Sequence, residues 1–421
     1  FRKNARPTSP MSANIENQNF KLRFAINKLM YLRQARHTLE RLARGFPVLA
    51  LTGPRQSGKT TLARACFPDK PYISLENPDE RDFATQDPKR FLDRFPDGAI
   101  LDEVQRCPAL LSWLQGVVDA NPVMGRFVLT GSAQFDLIAG MNQSLAGRVG
   151  RVELLPLALD EMQAGACLPG SLDRLLLQGS YPAIYQRELA AADWFPNYVA
   201  TYLERDVRQI IAVRDLSQIQ RFVRMCAART GQLLNLAALG ADCGISAVTA
   251  REWLSVLEAS YLVTRLPPYF QNFGKRLIKS SKLYFLDVGL MAWLLGIRDE
   301  TAIATHAARG ALFETWVVSE LIKQRYNAGQ PADLYFWRDS AGHEIDLIFE
   351  TSTGLQAIEI KSGSTYASDW TDGLKQWQKI TGDTAAPKPI LIYGGDDSHE
   401  REHCHLRDWQ SLPQTSSPTS G

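Results

Sequence analysis

The chain has 421 residues, of which 45% are hydrophobic and 22% charged, and its formal net charge is +2. Such a length exceeds one ordinary core and implies two or three domains. The near-neutral balance excludes a global basic field, so any nucleic-acid contact must come from local patches. Six cysteines, at 66, 107, 167, 226, 243 and 404, form no CxxC pair. That pattern argues for reduced thiols in a cytoplasmic setting and against a disulfide framework or zinc ribbon. No apolar run approaches the ~18 residues needed to span a bilayer, and no signal peptide is visible, so no membrane partner is expected.

In chain order, residues 1–29 are polar and aperiodic and start at Phe1 rather than Met. They read as a disordered leader, translated upstream sequence or an appended remnant, with the fold starting near Met30. The next signal is "FPVLALTGPRQSGKTTLARACF", which reads as strand, tight loop, helix. Gly53, Pro54, Arg55, Gln56, Ser57, Gly58, Lys59 and Thr60 fit GxxxxGK[ST], the phosphate-binding loop, and Thr61 follows on the helix. The loop amides and helix N-terminus make an anion cradle. Lys59 would reach the β- and γ-phosphates of ATP, and the Thr60 hydroxyl would bind Mg²⁺.

"GAILDEVQRCP" is a short apolar strand ending in Asp102 and Glu103. Downstream of a phosphate loop, Asp102 is expected to hold Mg²⁺ through water and Glu103 to polarise the attacking water. "GRFVLTGSAQF" is another buried strand, which presents Thr130 and Ser132 at its carboxyl end, where ligands of open α/β sheets sit. Ser132 is therefore a candidate sensor of the γ-phosphate. Arg148 and Arg151 in "SLAGRVGRVELLPL" have either an ordinary surface role or that of an arginine finger supplied in trans, which implies an oligomer.

Residues 217–287 read as helices followed by strands, with a turn at Gly244 and a longer helix that Ser246 could cap. This looks like a winged helix-turn-helix, whose second helix carries Arg251 and whose wing carries Lys275, Arg276, Lys279 and Lys282 to meet phosphates. Helix-turn-helix folds also serve as plain packing modules, and that alternative stands.

Further on, "GALFETWVVSELIKQR" is a helix with Leu312, Trp316, Val317 and Leu321 at helical spacing and Glu314 upon it. "DLYFWRDSAGHEIDLIFET" is a hairpin whose second strand bears Glu344 and Asp346, and "LQAIEIKSG" is a third strand bearing Glu359 and Lys361. Strand side chains alternate, so Glu359 and Lys361 share a face. Asp346 and Glu359 on adjacent strands can hold Mg²⁺ between them, Lys361 can stabilise an attacking hydroxide, and Glu314 could bind a second metal. Residues 401–421, including "HCH" at 403–405, read as a flexible tail.

Two resemblances follow from these motifs. "LTGPRQSGKTTL", "ILDEVQ", "LTGSAQF", "SLAGRVGRVELLPL", "QGSYP" and "YVATYLERDVRQI" resemble the AAA-type predicted ATPases that carry a C-terminal domain of unknown function. That likeness runs from about Met30 to about Gly395 and implies that Arg205 and Arg208 lie near the lid of the nucleotide site. The order αβββαβ, with acid, acid, then Glu-x-Lys, resembles the PD-(D/E)xK restriction-endonuclease-like nucleases. The expected architecture is α/β: an AAA-type P-loop ATPase domain at 30–205, a helical lid and winged-helix module at 206–300, and a nuclease-like domain at 301–400. The implied function is ATP-driven DNA processing by a homo-oligomer such as a hexamer, the C-terminal domain cutting or gripping DNA. The alternative is a nucleotide-gated switch with an inert C-terminal domain.

Overall fold

The computed structural model describes residues 31–132, 145–202, 216–269, 280–339, 342–382 and 387–415. Arg205, Arg208, Lys275, Arg276, Lys279, residues 1–29 and residues 416–421 lie outside them. Five strands, β1 (Val48–Thr52), β2 (Tyr72–Ser74), β3 (Ile100–Asp102), β4 (Phe127–Gly131) and β5 (Val149–Glu153), form a parallel sheet in the order β2-β3-β4-β1-β5. Val48 pairs with Phe127 on one side and Val149 on the other. Strands β1, β3 and β4 are buried throughout, which explains their unbroken apolar runs: a parallel sheet is covered on both faces. Val48, Ala50, Leu101 and Leu129 pack on one side with Leu110, Leu111 and Leu114 of helix Leu110–Ala120. Leu49, Leu51, Ile100 and Val128 pack on the other with helices Ala35–Leu42 and Lys59–Cys66.

Helices Leu216–Ala228, Leu236–Cys243 and Ala247–Ala259 follow, with Gly244 at φ +70° ending the second. The Ser246 hydroxyl caps the third, as its sequence position suggests, accepting from the Thr249 amide at 3.0 Å. Strands β6 (Val263–Leu266) and β7 (Lys282–Phe285) pair antiparallel, Val263 opposite Phe285. The segment 231–234 runs along the other side of β7, with Leu234 donating to Ser281 at 2.8 Å and Gly231 to Leu283 at 2.8 Å. One expectation is overturned here. Lys282 is no exposed wing lysine but is 3% exposed, because β7 is flanked on both sides and period-two alternation turns Lys282 inward with Tyr284.

The C-terminal part is built on helix Arg309–Asn327 and a six-stranded sheet. Its strands are β8 (Tyr335–Arg338), β9 (Glu344–Thr351), β10 (Gly354–Lys361), β11 (Ile390–Tyr393), β12 (His399–Glu400) and β13 (His405–Asp408), ordered β12-β13-β11-β10-β9-β8. Strand β9 is antiparallel to both β8 and β10, whereas β10, β11 and β13 run parallel. Helix Asp372–Thr381 connects β10 to β11, so the expected αβββαβ order is present. The sheet then continues into the residues expected to be a flexible tail. Leu406 and Trp409 are each 1% exposed and Cys404 is fully buried, and the Thr415 amide donates to Gln324 at 3.0 Å. The buried apolar side chains Cys404, Leu406 and Trp409 supply this packing, which a reading based on "HCH" does not show.

Helix Arg309–Asn327 is buried on most of its circumference, polar positions included, which marks an interior helix. Its Leu312, Phe313, Trp316, Val317 and Leu321 belong to one continuous core reaching from Leu155 through the middle helices to Trp409. Three charged residues of the helix, Glu320, Lys323 and Arg325, are buried with it. Lys323 donates to Leu157 O at 3.0 Å, Ser180 at 2.8 Å and Glu320 at 2.6 Å, and Glu320 accepts from the Leu159 amide at 2.7 Å. Among the described residues no helix is long and apolar enough to cross a membrane. Replacing Trp409 by Ala is expected to cost about 3–5 kcal/mol, read as a lower urea midpoint; an unchanged midpoint contradicts the packed C-terminal edge.

Candidate nucleotide site and carboxylate cluster

The carboxyl ends of β1, β3 and β4 bring the first set of candidates together. Gly53 leaves β1 at φ +150°, and a Cβ there would lie 2.1 Å from Leu154 O, so only glycine lets the backbone pass this close. Gln56 at φ +61° and Gly58 at φ +96° complete the turn, and Gly58 caps the helix that starts at Lys59. The Lys59 ammonium folds back to donate to Gly53 O at 2.9 Å and Pro54 O at 2.7 Å. Burial lowers its pKa to about 8, since these neutral acceptors leave the charge to be met by an anion. Thr60 donates to Asp102 Oδ1 at 3.1 Å, and Asp102 also accepts from Tyr72 at 2.6 Å and from Thr130.

Glu103 takes the left-handed conformation, φ +57°, at the end of β3. Its carboxylate accepts from Ser132 at 3.3 Å and from Gln105. Ser132 thus orients Glu103. A cleft of about 460 Å³ opens in front of these groups, lined by Lys59, Thr60, Thr61, Asp102 and Glu103. Tyr31, Leu32, Pro182, Ala183, Tyr198 and Tyr202 add apolar surface to its lining, interleaved with Gln186, Arg187 and Thr201. Arg55 lines the rim and pairs with Glu76 at 3.3 Å, and Ser57 is fully buried. The close backbone approach, the buried ammonium and the hydroxyl beside a carboxylate fit a nucleoside triphosphate with Mg²⁺. Lys59 would face the phosphates, and Thr60 and Asp102 would hold the ion.

The two candidate arginines are not brought to this cleft. Arg148 pairs with Asp119 on the surface, Nη2 to Oδ2 2.9 Å, at the amino-terminal edge of β5 and so across the sheet from Lys59. Arg151 is exposed in the middle of β5.

Sequence reasoning missed two residues that secure the loop. Arg33 donates to Ser57 O at 2.6 Å, Leu155 O at 2.6 Å and Glu161 at 2.9 Å. Tyr261, from the middle of the chain and itself at φ +55°, shares its hydroxyl between Thr52 at 2.7 Å and Glu153 at 2.9 Å. Neither has a local motif that marks its partner.

The second set also converges. Glu314, Glu344, Asp346, Glu359 and Lys361 line one depression of about 620 Å³, together with Arg338, Gln232 and Lys282. The Lys282 ammonium lies 3.2 Å from Glu314, 2.5 Å from Glu344 and 3.9 Å from Asp346. Lys361 pairs with Glu359 at 2.5 Å, the Ile360 amide donates to Asp346 at 2.9 Å, and Tyr284 donates to Glu314 at 2.5 Å. Burial, reinforced by Asp346, pushes the Glu359 carboxyl up to about 8 and raises Glu314 as well. The same carboxylates outweigh desolvation and raise Lys282 and Lys361.

Among the described residues no group of three or more His, Cys, Asp or Glu side chains is arranged to hold a metal ion. In this arrangement the residues do not fit the Mg²⁺ expected between Asp346 and Glu359: Asp346 Oδ2 accepts the Ile360 amide, Glu359 Oε1 is paired with Lys361, and Glu314 and Glu344 are paired with Lys282. Lys282, expected to meet phosphates from a wing, is the residue that closes them.

The nucleotide site carries its own test. Triphosphate affinity, followed by fluorescence titration, is expected to fall as pH rises past 8, by up to about tenfold per pH unit, because one proton must then be taken up by Lys59 on binding. A flat profile from pH 7 to 9.5 contradicts the assigned role of the ammonium.

With this geometry in view, known proteins give a consistent picture. A family model described as an AAA domain matches residues 45–163, and two domains of unknown function, DUF8612 and DUF4143, match 170–301 and 309–411. The uncharacterized proteins Rv2008c of Mycobacterium tuberculosis and Mb2031c of Mycobacterium bovis are each 35% identical over 365 residues, 85% of this chain and 80% of theirs. The Walker-type ATPase paby2304 of Pyrococcus abyssi is 15% identical, with a TM-score of 0.39 over 62% of this chain and 94% of its own. The chain belongs to the family that includes these two mycobacterial proteins, and it is an AAA-type ATPase with a C-terminal domain of unknown function.

Proposed function

We propose that the protein is an ATP-driven DNA-processing machine whose nucleotide state is passed through a shared core to a C-terminal domain that grips DNA. The observation that carries this reading is the continuity between the two sites. Tyr261 joins the residue preceding the phosphate loop to the middle of the chain, and helix Arg309–Asn327 holds Leu157 and Leu159 at one level and Glu314 at another.

In the ATPase cycle, Lys59 receives the β- and γ-phosphates and the loop amides cradle them. Thr60 and Asp102 would hold Mg²⁺, which would supply neutralisation of phosphate charge. Glu103, oriented by Ser132, polarises the attacking water. The base would lie on the apolar surface of Tyr31, Leu32 and Tyr202, where aromatic and aliphatic faces suit a flat ring. Arg148 or Arg151 would serve a neighbouring subunit of a homo-oligomer; the Arg148–Asp119 pair is exposed and so open to exchange. The helix Ala247–Ala259 with Arg251 and the following strands would act as a winged helix against duplex backbone. A cytoplasmic setting suits six cysteines that are all free thiols.

A second reading has an observation of its own. With Lys282 seated among the carboxylates, the C-terminal domain would be inert toward DNA and the chain a nucleotide-gated switch. Two measurements separate the readings. Turnover is expected to rise with at least one of linear duplex, single-stranded or branched DNA, and turnover indifferent to every form overturns the DNA-processing reading. Glu103→Gln should lower hydrolysis about 10²–10⁴-fold while nucleotide still binds; a near-normal rate removes Glu103 from the proposed role.

A further inference from the structure

Behind the Glu103 carboxylate stands a second side chain from the same turn. Glu103 is left-handed at the end of β3, and Val104–Arg106 forms a single 3₁₀ turn, pinned by the fully buried Val104. This turn brings Gln105 back against Glu103. The Gln105 amide nitrogen donates to Glu103 Oε2 and lies 3.4 Å from Ser132 Oγ, which donates to the same Oε2 at 3.3 Å. Among the described residues these are the only hydrogen bonds of the carboxylate, and both fall on one oxygen. Glu103 lines the nucleotide cleft, whereas Gln105 and Ser132 do not. The carboxylate is therefore gripped from outside the cleft, and Oε1 is left for the contents of the cleft.

The chemistry of the amide agrees. Turning it over would set Gln105 Oε1 against the carboxylate, acceptor on acceptor, so its partner fixes its orientation. Gln105 Oε1 is meanwhile buried with no hydrogen-bond partner among the described residues. The side chain thus serves Glu103 while its own second group goes unmet, which plain packing does not explain. A neutral donor also steadies a carboxylate without pairing its charge, as a lysine or arginine would. The basicity needed to take a proton is kept.

We propose that Gln105 is a positioning residue for ATP hydrolysis, holding Oε2 of Glu103 so that Oε1 is the oxygen presented to the attacking water. In that step the water oxygen bonds to the γ-phosphorus as its proton passes to Glu103 Oε1. The bond from that phosphorus to the β–γ bridging oxygen breaks, and its electron pair leaves with ADP. The proposal rests on the role given to Glu103 and adds the residue that aims it.

The test is single-turnover hydrolysis by the full chain, measured beside nucleotide affinity from fluorescence titration. Gln105→Met keeps the length of the side chain and removes the donor. Its rate is expected to fall by about tenfold or more, up to about a hundredfold, while affinity stays within about twofold. In a Glu103→Gln background the same change is expected to lower the rate no further, because the two residues act as one unit. An unchanged rate in Gln105→Met overturns the proposal. So does an equal loss in both backgrounds, which marks a purely structural role. Should Gln105→Met fail to fold, Gln105→Asn, one methylene too short to reach Glu103, is read against the same outcomes. A slow Glu103→Gln protein beside a normal Gln105→Met protein removes Gln105 alone and leaves the role of Glu103 standing. A near-normal Glu103→Gln protein removes both.

Discussion

Among the charged groups along helix Arg309–Asn327, those at two levels are answered by different parts of the molecule. At one level Glu320 and Lys323 are buried, and their hydrogen bonds go to Leu157, Leu159 and Ser180 just beyond the nucleotide-binding sheet. At the other, Glu314 is met by Lys282 and Tyr284 from the middle of the chain. Charges in a low-dielectric interior are tolerated only where partners are in place, and removing one partner strands the other. The apolar residues of the helix hold three stretches of sequence in one core, while its charged residues fix how those stretches are registered against it. Neither site can be regarded as a separable unit.

That constraint gives the nucleotide cleft its mechanical meaning. The phosphate loop is anchored from three directions: by its own sheet, by Arg33 on Ser57 O, and by Tyr261 beneath Thr52. Arg33 is itself tied to Glu161, which also accepts from the Ala158 amide at 2.9 Å next to the segment that Glu320 and Lys323 hold. A change in the loop on binding or losing a γ-phosphate therefore meets polar contacts, which are directional, rather than apolar packing alone. The chain of contacts from loop to helix to carboxylate cluster is short and continuous, which makes a two-position response physically reasonable.

The parts of this arrangement that were legible in sequence are those whose physics is local. The phosphate loop announces itself because the backbone needs glycine at positions 53 and 58 and the ligand needs a lysine and a hydroxyl beside them. Glu359 and Lys361 could be paired from strand alternation, and Asp346 and Glu314 from the element order. What could not be read is contact across long separations. Arg33 meets Glu161 across 128 positions and Tyr261 meets Thr52 across 209, and nothing in either neighbourhood marks the partner. Lys282 shows the limit most sharply, since a lysine in a basic loop region suggests solvent and phosphate. Only the flanking of β7 on both sides reveals that it turns inward. The edge strands after Gly395 are hidden for a related reason: polar histidines dominate the local composition, while Cys404, Leu406 and Trp409 carry the packing.

The claim on which this account rests is that nucleotide occupancy is felt at the carboxylate cluster through the shared core. Hydrogen exchange with and without a non-hydrolysable ATP analogue measures it most directly. The account predicts altered protection at Tyr261–Leu266, at Lys282–Phe285 and along Leu312–Lys323, as well as around the phosphate loop. Changes confined to residues 45–163 would contradict it.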